Sequence, residues 1–224
     1  MRTNLLNPFG PKIVLASRSE RRRELLTMVG AHFECFPVAV DESPLPKERA
    51  EAHVLRLAEA KARAALEAIA ERFDPASTVL LGADTVVSID RDILGKPVAS
   101  DEAARMLARL SGRVHEVWTG LSLVHPADGR AVTQAVRSIV KFSRLDGEEI
   151  ERYVATGEPL DKAGAYAVQG RGALYVEAIE GSYSNVVGLP LSHLKHALKL
   201  LFVVPVAEKT IVSNALETIR EDMK

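Results

Sequence analysis

Residues 12–30 read KIVLASRSERRRELLTMVG, and this stretch decides the fold. A short apolar run of strand type, residues 12–16, leads into a serine-rich turn and then into a helical segment that ends at Gly30. A strand, a turn and a helix in this order are typical of a protein whose helices pack on a sheet.

The rest of the chain continues the alternation of strands and helices. Residues 77–89, STVLLGADTVVSI, are typical of a buried central strand, and residues 50–72 repeat apolar positions at helical spacing. An Ala-Asp-Gly-Arg turn between residues 114–125 and 131–142 predicts an antiparallel pair. We expect an α/β fold with a mixed, twisted central sheet flanked by helices. Further helices are predicted from Ser100 or Asp101 to Leu110, from Asp146 to Gly157, and from Pro190 to about Phe202.

Composition and charge exclude several classes of protein. The 224 residues are 47% hydrophobic and 26% charged, which is ordinary globular usage and excludes a disordered or fibrous chain. A formal net charge of -1 gives no general attraction to a nucleic acid polymer or an anionic membrane. Cys35 is the single cysteine, so no internal disulfide forms, and we expect a cytoplasmic protein with no signal peptide and no membrane span.

The first candidate site is the serine- and arginine-rich turn of residues 17–23. Arginine is disfavoured in the first turn of a helix because the free amides there already carry partial positive charge. Serine hydroxyls, unpaired amides and guanidinium groups together satisfy a polyphosphate, so this turn indicates an anion site. The alternative is a solvated helix face on which Glu20 and Glu24 pair with some of the arginines.

The second candidate is Asp84, which lies inside an apolar strand. A buried carboxylate is costly unless it is paired, binds a metal or faces a cleft, and Gly82 leaves room for a ligand beside it. In a phosphate-handling enzyme this residue would coordinate Mg²⁺ or accept a proton from the attacking water. The alternative is a structural aspartate that caps a turn, with Thr85 as its hydrogen-bond partner.

Lysines and an amide complete the candidate set. Lys61 lies in the long helix and Lys96 in a Gly/Pro loop, and either can point into a cleft, although a lone lysine is usually at the surface. Gln169 precedes Gly170, and its amide can both donate and accept, which suits a pyrimidine edge but equally a loop hydrogen bond. Residues 95–97, Gly-Lys-Pro, lack the serine or threonine and the earlier glycine of a P-loop.

Read together, these segments resemble the Maf family of nucleotide pyrophosphatases. The family hallmark Ser-x-Ser-x-Arg-Arg-x-Glu-Leu-Leu is matched by residues 17–26, and five further motifs follow in family order. The resemblance covers about residues 12–202, which implies an N-terminal extension of residues 1–11 and a tail of residues 203–224 that can form a helix. The further motifs are LGADTVV at 81–87, GKP at 95–97, LSGR at 110–113, GEPLDKAGAY at 157–166, and GSY at 181–183 with VGLPL at 187–191.

The resemblance implies a fold, a reaction and roles for matched residues. The fold has two lobes around a cleft, and the reaction is hydrolysis of dTTP and UTP to the monophosphate and pyrophosphate with Mg²⁺ or Mn²⁺. Asp84 is the implied proton acceptor, and Glu42 with Asp84 is the implied metal site. A homodimer is usual for proteins that resemble this one. The implied substrate-binding residues are Ser17, Arg21, Arg22, Lys61, Thr85, Lys96 and Gln169.

Two departures from the family pattern and two other functions stay open. Glu20 replaces a usual proline beside the implied phosphate site, and Ala60 replaces a frequent glutamate that is a possible metal contact. The same chemistry would also fit a pyrophosphatase for a modified nucleotide, of the 7-methyl-GTP type or a modified pyrimidine. A non-catalytic nucleotide-binding regulator of cell division is the alternative from another class.

Overall fold

A computed structural model describes residues 11–69 and 72–203. The predicted opening is confirmed: β1 (Lys12–Leu15) is followed by a turn and by α1 (Glu20–Met28), and the Ser19 side chain caps α1 by accepting from the Arg22 amide. The other helices are α2 (Ala50–Ala68), α3 (Ser100–Leu110), α4 (Gly147–Ala155), α5 (Tyr183–Val187) and α6 (Leu191–Val203), and short 3-10 turns occupy Glu158–Asp161, Ala163–Ala165 and Arg171–Tyr175.

The strands form one mixed sheet, as predicted. Its order is β2-β1-β3-β5-β6-β7, and β4 pairs with the far end of β3. β1 is parallel to β2 and β3, whereas the remaining pairs are antiparallel, including the predicted hairpin of β5 and β6. The strands after β1 are β2 (Phe33–Cys35), β3 (Thr78–Ile89), β4 (Asp92–Leu94), β5 (Val114–Val124), β6 (Ala131–Phe142) and β7 (Val176–Glu180).

One edge of the central strand β3 is open in its middle. β1 pairs with Thr78–Leu81, and β4 pairs with residues 87–89 of the same strand. In the described part of the chain no strand pairs with residues 82–86 on that side, and we call this edge the β3 notch. The turn after β1 and the loop after β4 end at its two sides, so the topology brings residues 17–22 and Lys96 towards Asp84 and Thr85.

Apolar clusters separate on either side of the notch. On one face of β3, alternate residues from 79 to 83 pack with α1 and α6, whereas Val87 and Ile89 pack with α3 and α4. Thr85 lies between these two clusters. On the opposite face Leu80 and Val86 belong to separate clusters with α2, and Asp84 lies between them. We call the two clusters around Thr85 the two lobes. A ligand cleft between them stays a prediction.

One of the two predicted helix caps differs from the structure. The α3 cap is Ala99, without a side-chain hydrogen bond, so capping by Ser100 or Asp101 was wrong. Asp146 does cap α4, in a reciprocal capping box with Glu149. The helix predicted in the C-terminal tail lies outside the described residues. Within residues 11–69 and 72–203, the helices are all too short or too polar to cross a bilayer.

Candidate active site

Arg22 joins three segments beside the notch. Its side chain is 7% exposed, and its Nε, Nη1 and Nη2 atoms donate to the Gly188 carbonyl at 2.8 Å, Ser17 Oγ at 2.9 Å and Thr85 Oγ1 at 3.0 Å. Burial lowers the pKa of Arg22, and the nearby carboxylate of Asp84 opposes that shift. Three of the five guanidinium N–H groups therefore hold protein, and two are left for a ligand.

The Thr85 hydroxyl belongs to a longer chain of hydrogen bonds. Thr85 Oγ1 lies 2.9 Å from Thr119 Oγ1, and Thr119 donates to the Asn185 carbonyl at 3.0 Å. Thr119 and Asn185 are fully buried, whereas Thr85 is partly exposed at the notch. This chain ties β3, β5 and α5 together under the exposed threonine.

On the opposite face of β3, two carboxylates converge on one ammonium group. Lys61 Nζ lies 2.7 Å from Asp84 Oδ1 and 2.6 Å from Glu42 Oε1. Burial alone would raise the pKa of Glu42, but the hydrogen bond from Lys61 and the positive charges of Lys61, Lys96 and Arg22 lower it overall. The contact with Lys61 contradicts the reading of Asp84 as a turn cap bonded to Thr85.

Two glycines set the distance between α2 and the sheet, and thereby place Lys61. A Cβ on Gly82 would lie 2.0 Å from the Ala58 carbonyl oxygen, and a Cβ on Gly120 would lie 2.1 Å from that of Val54. The expectation that Gly82 leaves room for a ligand was therefore wrong, because the helix backbone fills that space. The close approach lets Lys61 reach Asp84, which faces α2 two residues further along β3.

A second buried polar group supports Asp84 from behind. His53 Nε2 lies 4.0 Å from Asp84 Oδ2, and His53 Nδ1 lies 2.9 Å from Glu48 Oε2. Arg56 donates from Nε and Nη2 to the two Glu48 oxygens. The bond with Arg56 is the largest cause that lowers the pKa of Glu48 to about 2. Glu48 thus stays ionised and fixes the His53 ring against the Asp84 carboxylate.

The remaining basic candidates surround this centre at greater exposure. Lys96 is exposed in the loop after β4, and its positive charge helps to lower the pKa of Glu42. Burial lowers the pKa of Arg21, and the charge of Asp161 opposes the shift, which puts Arg21 beside the loop of residues 158–172. Glu20 is exposed and pairs with Arg23 at 3.0 Å, so this departure faces solvent. The predicted solvated face thus exists for Arg23, whereas Arg22 points inwards.

Gln169 is not joined to the other candidates by any hydrogen bond that the structure describes. It is exposed, and it lies in a loop that Glu158 anchors. Glu158 accepts hydrogen bonds from the Tyr153 hydroxyl at 2.8 Å and from the amides of Arg171 and Gly172 at 3.1 Å. Tyr153 also belongs to the lobe that contains Val87, so the loop has a fixed root and a free tip at Gln169.

The donor set fits a hard divalent cation only in part. Within the described ranges, no group of three His, Cys, Asp or Glu side chains has the geometry of a metal site. Asp84 and Glu42 nevertheless direct one oxygen each to a common point, at the position of the Lys61 ammonium. Mg²⁺ usually takes one or two carboxylates and completes its shell with phosphate and water, so the pair suits a cation that arrives with a polyphosphate.

Sequence reasoning missed four residues of the site: His53, Glu48, Thr119 and Gly188. The pairing of β3 with β5 could have pointed to Thr119, because Thr119 is the direct partner of Thr85. Gly188 has a φ of 124°, and a Cβ there would lie 3.4 Å from Thr85 Oγ1. His53 and Glu48 lie in an amphipathic segment where nothing but the fold shows that they face Asp84.

Comparisons with known proteins find a matching family model and several similar chains. The family model described as Maf-like protein matches residues 12–201. A dTTP/UTP pyrophosphatase of Geobacter sp. (strain M21) is 52% identical over 189 residues, which are 84% of this chain and 95% of the relative. The dTTP/UTP pyrophosphatase of Moorella thermoacetica is 48% identical over 86% of this chain and 96% of its own length. A solved Staphylococcus aureus Ham1 protein is 12% identical with a TM-score of 0.44, over 85% of this chain and 99% of the other, a likeness that carries no argument.

Proposed function

The chain belongs to the Maf-like protein family, and we propose that it is a nucleoside triphosphate pyrophosphatase that hydrolyses dTTP and UTP to the monophosphate and pyrophosphate. The observation that carries the proposal is the group of Asp84, Lys61 and Glu42 at the β3 notch, with the buried Arg22 on its other side. A carboxylate that can accept a proton thus lies next to fixed positive charge, which hydrolysis of a phosphoanhydride requires.

The proposed step is attack of water on the α-phosphorus. A bond forms between the water oxygen and phosphorus, the bond from phosphorus to the α,β-bridging oxygen breaks, and Asp84 accepts the water proton. Lys61 holds Asp84 in place at 2.7 Å through a charge-assisted hydrogen bond. Pyrophosphate leaves with its charge balanced by Arg21, the free N–H groups of Arg22, and Lys96.

The proposed metal is Mg²⁺ or Mn²⁺, held by Asp84 and Glu42. Such an ion would polarise the phosphate oxygens and neutralise the charge that develops on them. Ala60 cannot supply a further oxygen ligand, so water and phosphate would fill the rest of the shell. Lys61 would add positive charge beside the same carboxylates and phosphates.

Base selection is proposed to involve Arg21, Thr85 and Gln169, which match the positions that the resemblance implies for this role. The Gln169 amide can satisfy both O4 and the N3 hydrogen of uracil or thymine, and its exposed position at the loop tip lets it close over a bound base. A base with another donor pattern would leave a buried polar group unpaired, at a cost of about 1–3 kcal/mol. A homodimer and a cytoplasmic location stay predictions.

Two other functions are distinguished by a substrate panel. A pyrophosphatase for a modified nucleotide would favour 7-methyl-GTP or a modified pyrimidine over dTTP and UTP. A non-catalytic regulator would bind nucleotide without metal-dependent turnover, and the retention of Asp84 beside Lys61 argues against it. The names of the relatives favour dTTP and UTP among these substrates.

The test measures pyrophosphate release from dTTP, UTP, CTP, GTP and 7-methyl-GTP, with and without Mg²⁺. We expect metal-dependent turnover with dTTP and UTP, and a fall in kcat of at least about 100-fold in Asp84→Asn with nucleotide binding retained. Asp101→Asn is the matched control, because Asp101 is an exposed carboxylate on α3. Turnover at the wild-type rate in Asp84→Asn would remove Asp84 from the mechanism, and a preference for 7-methyl-GTP would replace the proposed substrates.

A further inference from the structure

The loop that carries Glu42 has little apolar packing of its own. Residues 41–47 are all exposed, and Leu45 is 54% exposed despite its apolar side chain. Burial of apolar surface therefore contributes little to holding this loop, and its position depends on polar contacts. Glu42 Oε1 lies 2.6 Å from Lys61 Nζ, beside Asp84, so the position of the loop decides where this carboxylate lies.

Glu48 closes the far end of this loop and turns its side chain inwards. The side chain of Glu48 is only 6% exposed, although the loop before it lies at the surface. Its amide donates to the Leu45 carbonyl at 3.0 Å, and its Oε2 accepts from the Leu45 amide at 2.9 Å. Lys47, between them, has a φ of 61°, a left-handed conformation that is uncommon for residues other than glycine. Such a conformation persists where the surrounding structure holds it, and the two bonds of Glu48 to Leu45 do so here.

Arg56 joins this turn to α2. Its Nε donates to Glu48 Oε1 at 2.7 Å and its Nη2 to Glu48 Oε2 at 2.8 Å, a bidentate pair that fixes direction as well as distance. Nη2 also donates to the Ser43 carbonyl at 3.1 Å, next to Glu42. Arg56 and Lys61 belong to the same helix, so one helix holds both the loop and the ammonium group that Glu42 contacts.

We propose that Glu48 is a positioning residue, which through Arg56 holds the loop on α2 and so keeps Glu42 in the reaction centre. This inference rests on the proposed function, in which Glu42 and Asp84 together hold the cation. The Glu48 carboxylate is buried and directed to protein donors, so it acts through Glu42 and not on the substrate. A residue that acts only through Glu42 has no effect on the rate once the Glu42 carboxylate is removed.

The experiment is a double-mutant cycle on kcat/KM for UTP with Mg²⁺, using Glu48→Gln, Glu42→Gln and the double variant. Glutamine keeps the shape of glutamate but removes the charge and one acceptor oxygen, so the bidentate pair with Arg56 is lost. We expect each single variant to lower kcat/KM at least about tenfold, and the double variant to lie within about twofold of Glu42→Gln. Effects that multiply in the double variant, to about 100-fold or more, would show that Glu48 acts independently of Glu42 and would overturn the proposal.

A measurement without turnover examines the loop itself. Hydrogen exchange of the Leu45 amide, which donates to Glu48, should be at least about tenfold faster in Glu48→Gln than in the wild type. Glu59→Gln is the matched control, because Glu59 pairs with Arg63 at 2.7 Å on the exposed side of the same helix. This control should leave both kcat/KM and the exchange of the Leu45 amide unchanged. Unchanged exchange in Glu48→Gln would overturn the proposal, because other contacts would then hold the loop.

The outcomes separate this inference from the proposed function. A wild type that releases no pyrophosphate from UTP overturns both. An active wild type in which Glu48→Gln loses activity and Glu42→Gln does not overturns the role of Glu48 alone. If Glu48→Gln does not fold, Arg56→Lys takes its place in the cycle, because a single ammonium group cannot form the bidentate pair while the contact of Glu48 with His53 remains.

Discussion

Adding one methyl group at Gly82 should displace the helix that carries Lys61. A Cβ at this position would lie 2.0 Å from the Ala58 carbonyl oxygen and 2.6 Å from the Ala62 amide nitrogen, whereas ordinary contacts begin at 3.4 Å. Both atoms are helix backbone, so α2 itself must move by about 1 Å or more, and overpacking of this kind costs roughly 1–3 kcal/mol of stability. Lys61 precedes Ala62 and moves with it, away from Asp84.

The expected effect of Gly82→Ala is a fall in kcat/KM for UTP of about 100-fold in protein that is still folded, since a 1 Å misplacement at a reactive centre has this order of effect. Pyrophosphate release gives the rate, and circular dichroism with a thermal melt verifies the fold. Gly147→Ala is the control, because a Cβ at that position meets no atom within 4 Å. A folded Gly82→Ala enzyme with kcat/KM within threefold of the wild type would refute the claim that this contact places Lys61.

Three further predictions concern a buried histidine, a loop anchor and the arginine at the notch. Burial lowers the pKa of His115 to about 4, so between about pH 6.5 and 4 the unfolded chain binds a proton that the folded protein does not, and stability falls as the pH falls. From pH 7 to 5 the free energy of unfolding, measured by urea titration, should therefore drop about 2 kcal/mol more in the wild type than in His115→Gln. Equal drops in the two proteins would contradict this. Glu158→Ala removes the hydrogen bonds that hold the loop carrying Gln169, so KM for UTP should rise about tenfold with kcat little changed. A lower kcat at unchanged KM would assign Glu158 another role. In Arg22→Lys the three donor hydrogens lie on one nitrogen, which cannot reach the three acceptors that Arg22 contacts from Nε, Nη1 and Nη2. Both the Tm and kcat/KM should therefore fall, with at least about 2 kcal/mol of stability lost. Wild-type values of both would show that these contacts are dispensable.

The helices and strands could largely be predicted from local sequence signals, because periodicity, capping and turn residues act between residues that are close together in the chain. The apolar run of residues 12–16, the serine-rich start of α1 and the β-branched strand β3 follow from periodicity and capping, and all are confirmed. The hairpin of β5 and β6 followed from its turn. The α3 cap was wrong because Glu102 bonds the Val98 amide from inside the helix, a choice that a list of capping residues does not show.

The contacts between distant elements could not be predicted from the sequence, because they depend on how the elements pack against each other. Asp84 was suspected because a carboxylate in an apolar strand needs a partner, but the partner could be named only once α2 lay against β3. Gly82 looked like space for a ligand, and whether helix or ligand fills such a space depends on how α2 packs against β3, which the local sequence does not show. Thr119 became visible only through its strand register with Thr85.

The most direct test is a crystal structure with Mg²⁺ and a UTP analogue whose α,β-bridging oxygen is replaced by an imido group. The account predicts the triphosphate at the β3 notch, with phosphate oxygens in hydrogen-bond contact with Lys96 and Arg21 and the α-phosphorus next to Asp84. A triphosphate bound elsewhere, for example in the groove lined by Lys47, Arg91 and Trp118, would contradict it.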